Sequence, residues 1–115
     1  MKISIHSLLE GVTRAAGTVA VIDVFRAFTT AAVTLANGAS RIIMVGSCVG
    51  ERNLTPGLVA YAATKGAVKM FTQGLSREVG SRGITVNNVQ PGPIDTDLNP
   101  AAGDWAEPQV ANTAL

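Results

Sequence analysis

A small α/β fold on a parallel sheet is what this sequence predicts, and three observations carry it. Three short runs, TVAVIDV at 18–24, RIIMV at 41–45 and ITVNNV at 84–89, have the continuous β-branched character of strands buried on both faces. Segments of helical spacing separate them, at 26–37 and 58–79. Stop signals close the segments, at Asn37-Gly38, Gly80 and Pro91-Gly92-Pro93. Strands that alternate with helices predict parallel β-α-β units with right-handed crossovers.

The elements follow in order. Ile3 and Ile5 bracket Ser4, so 2–6 reads as a short edge strand. Ser7 caps a brief helical turn through Leu8, Leu9 and Val12, which Gly17 stops. The buried strand 18–24 carries Asp23 near its end. In 26–37, Ala27, Ala31, Ala32 and Leu35 share a helical stripe. After the strand 41–45 comes a polar loop, 46–57, marked by Gly and Pro. The longest helix, 58–79, carries Val59, Ala62, Ala63, Ala67, Met70, Phe71, Leu75 and Val79. The strand 84–89 ends at the Pro-Gly-Pro turn, and 100–115 has no sustained period. We therefore expect one α/β domain over 1–97 and a loose tail over 98–115.

Composition narrows the function classes. Apolar residues make up 47%, enough for a packed core, which excludes wholesale disorder. A net charge of +1 without a basic cluster argues against nucleic acid or an acidic membrane surface as the partner. The lone cysteine, Cys48, has no partner for an internal disulfide. The opening residues lack a signal-peptide pattern, and no apolar run is long enough to span a membrane. The expected location is the cytoplasm.

Ligands of open parallel sheets bind at the carboxyl ends of the strands. Asp23, Ser47 and the segment from Pro91 to Thr96 fall there. Tyr61 and Lys65 are four residues apart, so they share one face of the long helix. An ammonium near a phenol favours the phenolate and equips that phenol to exchange a proton. Ser47, just past a strand, can hydrogen-bond a carbonyl oxygen beside the phenol. A half-buried tyrosine and a solvated lysine are the plainer reading of an isolated Y-x-x-x-K.

The pattern is not isolated. RIIMVGS at 41–47, Tyr61-Ala-Ala-Thr-Lys65 and GITVNNVQPGPIDTDLNP from Gly83 resemble the C-terminal catalytic half of short-chain dehydrogenases/reductases, over about 41–104. The branch they most resemble is that of 3-oxoacyl-carrier-protein reductases. The resemblance implies a small Rossmann-like parallel sheet and hydride transfer between NAD(P)H and a carbonyl or alcohol substrate. It implies that Ser47 orients the carbonyl, that Tyr61 is the general acid/base, and that Lys65 tunes the tyrosine and contacts the nicotinamide ribose. Pro91, Gly92, Ile94 and Thr96 would hold the nicotinamide carboxamide. The family's Gly-rich turn, roughly T-G-x-x-x-G-x-G, is absent, as are its Asn-Asn-Ala-Gly motif and the catalytic Asn ahead of Ser47. The chain also stops before the family's last strand. NAD(P) binding is therefore expected to be weak.

The first part, 1–46, resembles the N-terminal β-α-β segment of 2-phosphosulfolactate phosphatases, Mg²⁺-dependent enzymes, through Val21-Ile-Asp-Val-Phe-Arg26-Ala-Phe-Thr-Thr30 and Ala36-Asn-Gly-Ala39. That resemblance implies Asp23 as a weak metal candidate and Arg26, Thr29 and Thr30 as phosphate contacts. Alternatively, Asp23 caps the helix, Arg26 is solvated and the threonines pack. Together the two resemblances read as a splice at a shared β-α-β seam, truncated relative to both parents. A non-catalytic chimera and a phosphate-binding protein are the alternatives to an oxidoreductase. His6, Cys48 and Trp105 read as bystanders, and Glu51-Arg52 and Arg77-Glu78 as solvated charge. Both long helical segments should cover one face of the sheet and leave only 7–16 for the other, and the longer helix is small and apolar around much of its circumference, which together predict a homo-oligomer.

Overall fold

The structure, a computed structural model, describes residues 13, 16–21, 27–53, 55–104 and 106–111. Its strands are β1 (Gly17–Val21), β2 (Ala39–Val45) and β3 (Thr85–Val89). Its α-helices are α1 (Ala27–Ala36), α2 (Val59–Val79) and α3 (Ala106–Ala111). The strands form one parallel sheet in the order β1-β2-β3. The expected α/β architecture is therefore present, with β2 at its centre. The expected strand 2–6, most of 7–16, and both Asp23 and Arg26 lie outside the described residues.

Register decides which residues face the helices. Val19 pairs with Ile42 and Ile42 with Val86, so these three form a row on one face. Met44 lies two residues beyond Ile42 and therefore on the same face. Ile42 and Met44 are fully buried, and Ala31, Ala39, Val68, Val79 and Val86 complete the core around them. Burying each of the larger apolar side chains stabilises the fold by about 1.5–3 kcal/mol.

Both crossovers run the same way along the sheet, so right-handedness puts α1 and α2 on the same side. The Phe28 ring of α1 and the Phe71 ring of α2 meet there, with centroids 4.4 Å apart. On the opposite face Arg41, Thr85, Asn87 and Val89 are exposed and Ile43 and Val45 half-buried, so among the described residues the helices cover one face, as the crossovers imply. A β-branched run records strand propensity but not how many faces are covered, because its apolar residues are continuous rather than alternating.

The helix ends follow local chemistry. Asn37 ends α1 twice over: its backbone N–H and its side-chain amide both donate to Val33 O, at 3.1 and 2.8 Å. Gly38 then takes φ 82°, in the left-handed region. Beyond α2 a short 3-10 turn, Gly80–Arg82, stops at Gly83 with φ 70°. Two buried threonines in the helices satisfy themselves locally, Thr34 donating to Ala31 O and Thr72 to Val68 O.

In the segment after the Pro-Gly-Pro turn, side-chain amides join a turn and a short helix. Asn99 and Gln109 exchange two side-chain amide hydrogen bonds, at 3.1 and 2.8 Å, and so hold α3 against the turn at Thr96–Asn99. A helix of six residues is too short to show a period in the sequence.

Candidate active site

Two backbone hydrogen bonds build the floor of the site. Gly46 N–H donates to Val89 O at 2.8 Å, and Cys48 N–H donates to Pro91 O at 3.0 Å. The loops that leave β2 and β3 thus stay paired past the strand ends, and Ser47 sits between those two bonds. Ser47 is extended, at φ −163° and ψ 150°, and caps the 3-10 turn Cys48–Gly50. Its Oγ accepts from Val49 N–H at 3.3 Å, which leaves the hydroxyl proton able to donate. Ser47 is only 7% exposed.

The 3-10 turn rests directly on α2. A Cβ on Gly50 would lie 2.6 Å from the Lys65 carbonyl carbon and 2.8 Å from Gly66 N. Glycine at 50 therefore allows a backbone-to-backbone approach that no other residue permits.

Lys65 is the buried cation of the site, 5% exposed. Its Nζ donates to Val45 O at 3.0 Å, which fastens α2 to the end of β2 two residues before Ser47. An ammonium has three N–H donors, and this bond uses one. Tyr61, one turn earlier, is 42% exposed. Lys65 Nζ lies 5.7 Å from the centre of its ring, within cation–π range. Ser47 and Lys65 thus converge on the carboxyl end of β2, with Tyr61 at the open side of the same helix face.

The remaining expected residues divide. Pro91 is half-buried and tied to Cys48; Gly92, Ile94 and Thr96 follow it in an exposed segment. The Thr96 hydroxyl already accepts from Asn99 N–H at 3.2 Å. Thr29 is exposed and Thr30 half-buried on α1. Their expected companions Asp23 and Arg26 lie outside the described residues. Among the described residues no group of three His, Cys, Asp or Glu side chains is placed to hold a metal ion. Cys48 is exposed.

Sequence reasoning missed one part of the site. Glu51 is not merely solvated: it forms an ion pair with Lys69 of α2. Hydrogen bonds from Lys69 and then Gln90 hold its carboxyl below the usual carboxylate range. Nothing in the spacing from 51 to 69 to 90 signals this, because the contact depends on how the loop folds back over α2.

The short chain dehydrogenase family model matches residues 10–107. The chain belongs to this family. The match begins at residue 10 and takes in most of 1–46, and nothing in the comparisons supports a phosphatase-like segment, a splice or a Mg²⁺ site. The short chain dehydrogenase from Burkholderia cenocepacia J2315 in complex with NADP is similar, at 43% identity and TM-score 0.72, over 80% of this chain and 39% of that one. A blue fluorescent protein from a metagenomic library, in complex with NADPH, is similar at 46% identity and TM-score 0.71, over 76% of this chain and 37% of that one.

Among curated relatives, the cyclic-di-GMP-binding biofilm dispersal mediator protein of Escherichia coli K12 is 56% identical over 63 residues. That match spans 55% of this chain and 27% of the relative. The 3-oxoacyl-(acyl-carrier-protein) reductase of Vibrio harveyi is 52% identical over 66 residues, 57% of this chain and 27% of that protein. This short chain dehydrogenase sequence thus spans about a quarter of the length of the curated relatives it matches.

Proposed function

We propose that this chain carries the catalytic segment of an NAD(P)-dependent oxidoreductase acting on a carbonyl or alcohol substrate. One observation carries the reading: Ser47 and Lys65, both buried, lie at the carboxyl end of β2, Lys65 on Val45 O two residues before Ser47, with the exposed Tyr61 one turn from Lys65. Its relatives add weight, since solved neighbours hold NADP or NADPH.

The residues present fit the nicotinamide end of the cofactor. Lys65 keeps two N–H donors for ribose hydroxyls, and the turn at Pro91 and Gly92, with Ile94 and Thr96, offers backbone and hydroxyl groups to a carboxamide. They do not include a Gly-rich turn for the diphosphate, because the sequence contains none. The bound cofactor supplies the hydride. In the reductive direction Ser47 donates a hydrogen bond to the carbonyl oxygen and holds it beside Tyr61. Tyr61 would give its phenolic proton to that oxygen as general acid, so that hydride delivered by a bound cofactor would yield the alcohol. Lys65 stabilises the phenolate left behind. In the oxidative direction the same phenolate accepts the alcohol proton.

The test is reduction of a small ketone at millimolar NADPH by the purified chain. Tyr61→Phe should abolish turnover, and Ser47→Ala should lower it by about 10²–10³, the usual effect of losing one oxygen-stabilising donor. Turnover that survives Tyr61→Phe would refute the assignment.

We also propose self-association. Val59, Ala63, Ala67 and Met70 form an exposed apolar row along α2, and Phe28 stands half-exposed on the neighbouring helix. Contiguous patches of this kind mark interfaces.

A further inference from the structure

We propose that Glu51 is a positioning residue that clasps the turn after Ser47 to the helix carrying Tyr61 and Lys65, an inference that rests on the oxidoreductase reading. The segments leave the fold separately: the turn after Ser47, the helix with Tyr61 and Lys65, and the turn at Pro91 and Gly92. Backbone contacts hold them in pairs, through Cys48 N–H to Pro91 O and through Gly50 against Lys65 and Gly66. Glu51 adds a side-chain tie between the turn and the helix, its carboxylate pairing with Lys69.

The placement along α2 gives this tie a second consequence. Lys69 is four residues from Lys65, so the two ammonium groups share a helix face, an arrangement that repels. Glu51 neutralises Lys69. Without it Lys69 stands unpaired one turn from the cation that holds Val45 O and faces the Tyr61 ring. Glu51 therefore sets both the seat of the turn and the charge balance beside Lys65.

The backbone of the turn reports on the clasp directly. Gly50 N–H donates to Ser47 O, and Glu51 and Arg52 N–H both donate to Cys48 O, each at 3.0 Å. Hydrogen exchange at Gly50 and Arg52 should quicken about two- to fivefold in both Glu51→Gln and Lys69→Met, as fits a partly exposed ion pair, with the amides of β2 unchanged. NADPH-dependent ketone reduction should lose a similar factor in KM for NADPH, with kcat little altered. Lys69→Arg should keep wild-type behaviour, and the double variant should be no worse than either single one. Unchanged exchange in both variants overturns the clasp. Faster exchange with an unchanged KM overturns the positioning role. A wild type without turnover whose turn still responds refutes the oxidoreductase reading and leaves the clasp standing.

Discussion

Replacing Gly50 with alanine should loosen the whole site. The added Cβ would sit 2.6 Å from the Lys65 carbonyl carbon, 2.8 Å from Gly66 N and 2.9 Å from Lys65 Cβ. Ordinary contact begins near 3.4 Å, so the turn must retreat by about 0.8 Å (3.4 − 2.6). Two of the atoms in the way are helix backbone, which does not swing aside as a side-chain tip would. Overpacking of this kind costs about 1–3 kcal/mol. For a domain of this size that lowers the thermal midpoint by roughly 5–15 °C. The same retreat moves Ser47 relative to Tyr61, and a misplacement of about 1 Å can cost 10²-fold in turnover. Gly74→Ala is the matched control: it lies within α2, a Cβ there meets nothing within 4 Å, and alanine should stabilise the helix by about 1 kcal/mol. Circular dichroism melts of the three proteins decide the matter. A Gly50→Ala midpoint equal to wild type would show that the turn does not rest on the helix backbone as described.

Three further outcomes are expected. Fluorescence titration should show no saturable NADPH binding at micromolar concentrations, since the sequence lacks a Gly-rich diphosphate turn; a micromolar Kd would mean that another part of the chain receives the diphosphate. Glu51 is held below its ordinary value of 4.5, so its stabilising contribution is present above that pH and fades as pH falls through the lowered value. The difference in thermal midpoint between wild type and Glu51→Gln should accordingly be small but measurable at about pH 6 and shrink as the pH falls below 4.5; a difference that does not shrink in acid would mean that the carboxylate charge is not its source. Light scattering should give a multiple of 11.8 kDa at low micromolar concentration, and Met70→Glu should shift it toward the monomer; a monodisperse wild-type monomer would refute self-association.

The sequence was legible where one signal had one physical meaning. Asn37-Gly38 ended α1 because an amide and a left-handed glycine cap a helix in only a few ways. The four-residue spacing of Tyr61 and Lys65 placed them on one face because helical geometry admits no other result. Which strand residues face the helices was not legible, since Ile42 and Ile43 are both isoleucines yet point to opposite sides. The match of the family model from residue 10 shows a further limit. A β-α-β segment such as 18–45 is written in residues that many α/β families share, so its likeness to a second family did not establish a second origin. The pairing of Glu51 with Lys69 was illegible for a different reason, because their contact is a product of the fold and has no local pattern.

The geometry around Lys65 shows why this end of the sheet suits the proposed chemistry. Burying an ammonium is costly unless its donors are met. Here the last carbonyl of β2, Val45 O, meets one of them, since it points away from β3 while the Gly46 N–H of the same peptide unit donates to Val89 O. The remaining two donors are what a ligand rich in hydroxyl groups would satisfy. A methionine at 65 would keep the apolar packing of the stem but remove every donor. Lys65→Met should therefore cost little stability and most of any turnover, while Lys65→Arg, too broad for a seat under a single carbonyl, should lose both. Thermal melts and ketone reduction measured side by side separate the two. If Lys65→Met unfolded the chain as readily as Lys65→Arg, the ammonium would be a structural pin of β2 to α2, and the catalytic reading of the pair with Tyr61 would lose its basis.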